Sequence, residues 1–274
     1  MDDSTLRKAQ LIQLEIAKEV MRICKENNIV CFLDSGTLLG AVRGKGFIPW
    51  DDDLDLGMQR EDYERFLQIA SENLDEKYEL VNWKTEEEYP HPFSKVMKKN
   101  TLYIEEAQGG NSKCGIYVDI FPYDNFPEEK ELQKKQGRRI TTIRAMLRAK
   151  CHYRTWVVHN KFNLKKWFRN LPFRFMSLFF TKEKLVMKYE KVAQKYNDKP
   201  CTKLFTQGVS KYGSWVVPKD CFRKYVDLQF EDTEFCCPIG YDRYLKCVYG
   251  EYMKLPPVSE RANRHSIIKV DFGE

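Results

Sequence analysis

The 274-residue sequence predicts an α+β fold: a mixed β-sheet core, flanking helices and a basic helical insertion. Three observations carry this expectation. Strand-like and helical patterns are interspersed without strict alternation. Residues 35–57 run from a glycine-containing turn into a strand with carboxylates at alternate positions. Between residues 128 and 200, 20 Lys and Arg stand against 6 Asp and Glu, so this helical stretch carries +14 and the remaining chain −8. The expected organisation is a core over 1–127, the insertion over 128–200, and a part over 201–274 that completes the core and its active site.

The elements follow in order. Leu6, Leu11, Leu14, Ile16, Val20 and Ile23 recur at helical spacing and predict a helix over 6–27, capped by Ser4 or Thr5. A short apolar strand over 30–33 leads to the Ser35-Gly36 turn and a helix from about Thr37. A second strand spans 53–58, and a helix with Tyr63, Phe66, Leu67 and Ala70 on one face spans 60–74. Strands are predicted over 78–83, 94–98, 101–105 and 115–121, with Phe121-Pro122-Tyr123-Asp124 as the closing turn. The basic stretch is helical, with an interruption near Leu171-Pro172. Strands over 225–230 and 234–237, a helix over 241–249 and a polar tail after Pro256-Pro257 complete the chain.

Composition narrows the class. With 42% hydrophobic residues the chain can bury a large core. Nine cysteines, an odd number without a C-x-x-C pair, and four scattered histidines predict reduced thiols rather than disulfides or a zinc site. The acidic start shows no secretory signal, and the densest apolar run, 173–180, is too short to span a bilayer. A cytoplasmic protein is expected. The segment 161–180 interleaves cations with large apolar residues, which suits peripheral contact with the inner face of a membrane. No nucleic-acid module accompanies the basic charge, so no nucleic-acid partner is expected.

The chemistry concentrates in 35–57. On a strand, Asp51, Asp53 and Asp55 share a face and Asp52 takes the other. Carboxylates held this close need a divalent cation, and hard oxygen ligands suit Mg²⁺ or Mn²⁺. The spacing also matches the first three ligands of a calcium loop, but that loop needs Gly and Glu where this chain has Leu56 and Asp62. Asp119, in an otherwise apolar strand, is the expected third acid, since a bare carboxylate there would be costly. Ser35, Gly36 and Thr37 offer backbone N–H groups and a helix N-terminus to a phosphate. Arg43 and Lys45 are candidates to add positive charge there. Trp50, Tyr117 and Tyr123 are aromatic candidates that flank this predicted site.

Taken whole, Ser35-Gly36-Thr37-Leu38-Leu39-Gly40-Ala41-Val42-Arg43 and Lys45-Gly46-Phe47-Ile48-Pro49-Trp50-Asp51-Asp52-Asp53-Leu54-Asp55 resemble the LicD family. The later segments Val118-Asp119-Ile120-Phe121-Pro122 and Tyr249-Gly250-Glu251-Tyr252, with Arg261 and His265, agree with it. Gly44 stands where members often have His, and Glu251 where Asp is common.

The resemblance implies a nucleotidyltransferase-like fold and metal-dependent transfer of phosphocholine, or a similar alcohol-phosphate, from CDP-choline or another CDP-alcohol to a glycan hydroxyl, with release of CMP. It implies an acceptor that is often lipid-linked. Under it, Asp53, Asp55 and Asp119 are the metal-binding and catalytic residues, and Ser35, Gly36, Thr37, Arg43, Asp51, Lys95 and His265 bind substrate. An Asp-x-Asp glycosyltransferase and a non-catalytic lipid- or polyanion-binding protein are the alternatives.

Overall fold

The computed structural model describes residues 1–108, 114–158, 161–208, 211–261 and 265–273. Its strands are β1 (Phe32–Leu33), β2 (Asp55–Gln59), β3 (Tyr78–Val81), β4 (Ser94–Lys98), β5 (Leu102–Glu105), β6 (Tyr117–Phe126), β7 (Val157–Val158), β8 (Lys161–Phe162), β9 (Lys203–Thr206), β10 (Val216–Pro218), β11 (Tyr225–Phe230), β12 (Thr233–Pro238) and β13 (Ile267–Asp271). The helices are α1 (Asp3–Glu26), α2 (Ser35–Gly44), α3 (Arg60–Asn73), α4 (Lys130–Lys150), α5 (Leu164–Ser177), α6 (Lys182–Ala193) and α7 (Tyr241–Tyr249). The fold is α+β with a mixed sheet, as the sequence predicts.

Strand β6 organises the sheet and is buried at every position. One edge pairs in parallel with β2. The other edge pairs antiparallel with β4 over its first half and with β9 over its second. Outer strands β1, β3 and β10 extend the sheet to seven. Helices α1 and α3 cover one face, burying Ile16, Val20 and Phe66 against Leu56, Val96 and Ile120 in one contiguous core.

The predicted turn at residues 121–124 is instead the middle of β6. The reason lies in the ladder. The Asp119 N–H donates to Leu54 on the β2 side, so the position of residue 122 faces the other edge. There β4 pairing ends at Ile120 and β9 pairing begins at Tyr123. Pro122 therefore sits at the gap between two strands, where its missing N–H removes no ladder bond.

Other boundaries differ by local chemistry. Asp2, rather than Ser4 or Thr5, caps α1, its carboxylate accepting the Thr5 N–H at 2.8 Å. Residues 51–54 precede β2 as irregular chain, so the strand begins two residues later than expected. The basic stretch packs α4, α5 and α6 around a second apolar cluster that includes Ile140, Leu147, Leu185 and Tyr189. Helix α5 continues through Pro172, an exposed position where the loss of one backbone bond does not end the helix. Downstream, β9 and β10 join the main sheet, and the predicted polar tail contains β13, which pairs with β5. All nine cysteines are unbonded.

A buried ion pair ties three of these parts together. Arg60, opening α3, donates from Nε and Nη2 to both carboxylate oxygens of Asp124 on β6, at 2.8 and 2.6 Å. Asn197 and Gln207 donate to the same carboxylate at 2.8 and 2.7 Å. Burial opposes the charge, but Arg60 and these donors hold the Asp124 carboxyl below its ordinary value. Its stabilising contribution is present above an unfolded carboxyl pKa of about 3.9 and is lost as pH falls through the lower folded value. Asp124→Ala leaves Arg60 buried without its main partner and should cost about 3–5 kcal/mol in urea unfolding at pH 7. A loss within experimental error would remove Asp124 as the tie.

Candidate active site

The site starts at the N-terminus of α2. Asp34 is fully buried and caps the helix, accepting the Ser35 N–H at 2.8 Å. The same carboxylate accepts the Tyr123 hydroxyl at 2.7 Å and the Tyr244 hydroxyl, and Trp215 Nε1 donates to Tyr244 at 3.1 Å. Burial raises the Asp34 carboxyl while the two tyrosine bonds pull it back. This network ties α2 to β6 and α7, and it leaves Gly36 against the cleft. A Cβ on Gly36 would lie 2.6 Å from Asp51 Oδ2, so only glycine lets that carboxylate approach the helix end. Ser35 adopts φ +52°, an uncommon left-handed conformation for a residue with a side chain.

The sheet register then aligns three charges. Asp55 on β2 pairs with Asp119 on β6, and Lys95 on β4 pairs with Asp119 from the other side. Side chains paired across strands share a face, so the three form one row over the sheet. Asp55 is fixed by its own N–H, which donates to Thr37 Oγ1 at 2.8 Å. Its carboxyl is pushed well above the ordinary value by burial first, then by Asp53 and Asp119. Burial also pushes the Asp119 carboxyl up, to about 6, against the stabilising charge of Lys95. Lys95 Nζ lies 2.8 Å from Asp119 Oδ1, 3.9 Å from Glu105 Oε1 and 3.1 Å from the centre of the Tyr117 ring. Although burial disfavours the ammonium, Asp119 and Glu105 raise its pKa, so it stays charged. Tyr117 and Tyr153 hydroxyls hold Glu105 in place at 2.9 and 3.3 Å.

His265 arrives from the C-terminal part, because β13 pairs Ile267 with Glu105. Its Nδ1 lies 2.9 Å from Asp52 Oδ1, its backbone N–H donates to Asp52 Oδ2 at 3.2 Å, and its Nε2 lies 3.7 Å from Asp53 Oδ2. Burial opposes a charge on the ring, but Asp53 and Asp52 outweigh it and push the pKa up to about 10. Asp51, Asp53 and Asp55 line the cleft and Asp52 does not, the sorting that alternation predicts, even though the chain before β2 is irregular. Asp52 is buried and works from below, orienting His265.

These groups meet in a cleft of about 410 Å³. Of the residues singled out from sequence, Ser35, Gly36, Asp51, Asp53, Asp55, Lys95, Asp119 and His265 line it. Thr37 does not; it fastens Asp55. Arg43 points elsewhere, donating to the carbonyls of Tyr252 and Lys254. Among the aromatic candidates Trp50 lines the cleft, Tyr117 lies under Lys95, and Tyr123 is spent on Asp34.

The structure adds walls that sequence reasoning missed. Arg144 and Arg148, four apart on α4, line the cleft, as do Glu105, Trp215 and Tyr249. The i, i+4 spacing that puts two arginines on one helical face was legible, but a run of basic residues hid it.

A divalent cation fits the donors. Asp55 Oδ1 is buried without a hydrogen-bond partner and is crowded by Asp53 and Asp119, a set of hard oxygens lacking enough positive charge. Asp52, Asp53 and His265 also lie within 4.8 Å of one another, but there the imidazole already bridges two carboxylates. A saturating divalent ion, at about a hundredfold over its Kd, should raise the thermal midpoint by roughly 5–10 °C. Asp55→Asn should remove most of that rise. An unchanged midpoint in the unaltered chain would contradict the fit.

Comparison with known proteins agrees with the geometry. Residues 28–168 match the family model described as LicD/FKTN/FKRP, nucleotidyltransferase domain. The chain is 33% identical over 275 residues to the Haemophilus influenzae protein named lipopolysaccharide cholinephosphotransferase LicD, covering 97% of each. It is also 34% identical over 121 residues to an uncharacterized Rickettsia prowazekii protein, covering 44% of this chain and 42% of that one. A match spanning half of the chain and another running nearly end to end lead to one conclusion: this chain belongs to the LicD/FKTN/FKRP nucleotidyltransferase family and is a phosphotransferase.

Proposed function

We propose that the chain transfers phosphocholine, or a similar alcohol-phosphate, from a CDP-alcohol to a glycan hydroxyl and releases CMP. The observation that carries this reading is the Asp55–Asp119–Lys95 row on the floor of the cleft, in a chain similar from end to end to a protein named as a cholinephosphotransferase. The family match favours this reading over an Asp-x-Asp glycosyltransferase and over a non-catalytic binder.

The chain's residues divide the work. Asp53, Asp55 and Asp119 would hold Mg²⁺ or Mn²⁺, which when bound neutralises phosphate oxygens and polarises the distal phosphorus. The N-terminus of α2, with Gly36 on the cleft lining, donates backbone N–H to a phosphate oxygen, and Arg144 and Arg148, also on the lining, bring positive charge to the diphosphate. The glycan hydroxyl forms the new bond to the distal phosphorus as the bond to the CMP oxygen breaks. The electron pair leaves with CMP, and the hydroxyl proton passes to Asp119, beside Lys95. His265, held by Asp52, supplies positive charge next to Asp53. A choline head has no N–H to donate and suits the aromatic faces of Trp215 and Tyr249, whose rings meet edge-on at 5.5 Å.

Purified protein supplied with CDP-choline, CDP-ribitol, CDP-glycerol and a UDP-sugar tests the reading through acceptor-dependent release of CMP or UDP. CMP release with a CDP-alcohol is expected, and chelation should abolish it. Asp53→Asn and Asp119→Asn should each lower the rate by about a thousandfold or more with an unchanged circular dichroism spectrum. Full turnover by Asp119→Asn in chelator, or UDP release alone, would overturn it.

A second expectation concerns the α2 end. Gly36→Ala pushes against the Asp51 carboxylate and should lower kcat about tenfold or more while leaving the thermal midpoint nearly unchanged. Equal turnover would mean that the close approach of Asp51 has no part in the reaction.

A further inference from the structure

Helix α5 is amphipathic in the wrong sense for a helix that only packs on its own protein. Leu164, Phe168, Leu171 and Phe175 recur at i, i+4, i+7 and i+11, one stripe along a 3.6-residue helix. That stripe faces solvent: Phe168 and Phe175 are 56% and 63% exposed, and Phe179 just beyond the helix is 70% exposed. The opposite face meets the protein instead, with Ser177 buried, Phe173 packed on the second apolar cluster, and Asn170 donating to Thr155 at 3.2 Å. Lys165 and Arg169 flank the stripe on one side and Arg174 on the other. Isolated exposed apolar residues are ordinary, but a stripe of exposed leucine and phenylalanine along one helix face is not.

Charge says what covers it. From residue 132 to residue 182 there is no Asp or Glu, and 14 Lys and Arg are present. A second copy of this chain would bring like charge against like charge at the stripe. A surface with an apolar interior and anionic headgroups satisfies both features, the rings entering the acyl boundary and the cations remaining at headgroup level. Among the described residues no helix is long and apolar enough to cross a membrane, so the contact would be in-plane. We propose that α5 is an interfacial anchor that lies flat on an anionic lipid bilayer. Such an anchor is independent of the reaction proposed above.

Flotation of the full chain with vesicles tests it. The unaltered protein should float with phosphatidylcholine vesicles containing phosphatidylglycerol, and should float much less with phosphatidylcholine alone or at high salt. Phe168→Ser with Phe175→Ser, and separately Lys165→Glu with Arg169→Glu, should each lower the bound fraction about tenfold or more. The altered residues are exposed, so an unchanged thermal midpoint and unchanged turnover of a soluble acceptor would confirm an intact fold. Absence of flotation at low salt would overturn the proposal, as would undiminished binding by the phenylalanine variant. Concentration-dependent dimerisation abolished by the phenylalanine substitutions, with no flotation, would overturn it in favour of self-association.

Discussion

The structure turns on the electrostatic imbalance of three adjacent strands. Pairing β2 in parallel with β6, and β6 antiparallel with β4, sets Asp55, Asp119 and Lys95 side by side on one face. Two buried carboxylates cannot share that space with Asp53 without positive charge. Lys95 supplies one unit and is itself shared with Glu105. The remaining demand is for positive charge, which suits the cleft to a cation rather than to a core packed with apolar side chains. Everything around it either holds the row in register or brings positive charge to its rim.

The holding is done at a distance from the row. The Asp34 network fixes α2 against β6 and α7, so the helix end and the acidic row keep a constant separation. Asp124 does the same at the far end of β6, through Arg60 and Gln207. The rim comes from parts remote in sequence: His265 through the pairing of β13 with β5, and Arg144 and Arg148 through α4. Helix α4 also packs against α5, so the cleft wall and the exposed apolar stripe belong to one helical unit.

Much of this was readable from the chain. The acidic strand, the glycine turn and Asp119 follow from period-two spacing and the cost of a lone carboxylate in an apolar strand. The reading misplaced Arg43 because a cation beside a motif does not reveal which way it points; here it meets two backbone carbonyls. Alternation sorted Asp52 away from Asp51, Asp53 and Asp55, but nothing local showed that it would meet His265 from the far end of the chain. The turn signal at Pro122 was overridden by tertiary context, since a proline is tolerated where two partner strands leave a gap. Asp34, Glu105 and Trp215 carried no local signal at all. Their importance arises only when β5, β6 and α7 come together.

The central claim is that the unmet negative charge of Asp53, Asp55 and Asp119 is where a divalent ion binds. The most direct measurement is an anomalous difference map from a crystal soaked in Mn²⁺. The account predicts a peak at about 2.2 Å from carboxylate oxygens of the Asp55–Asp119 pair, with Asp53 beside it. A peak found only between Asp52 and His265, or none at a concentration that supports turnover, would contradict it.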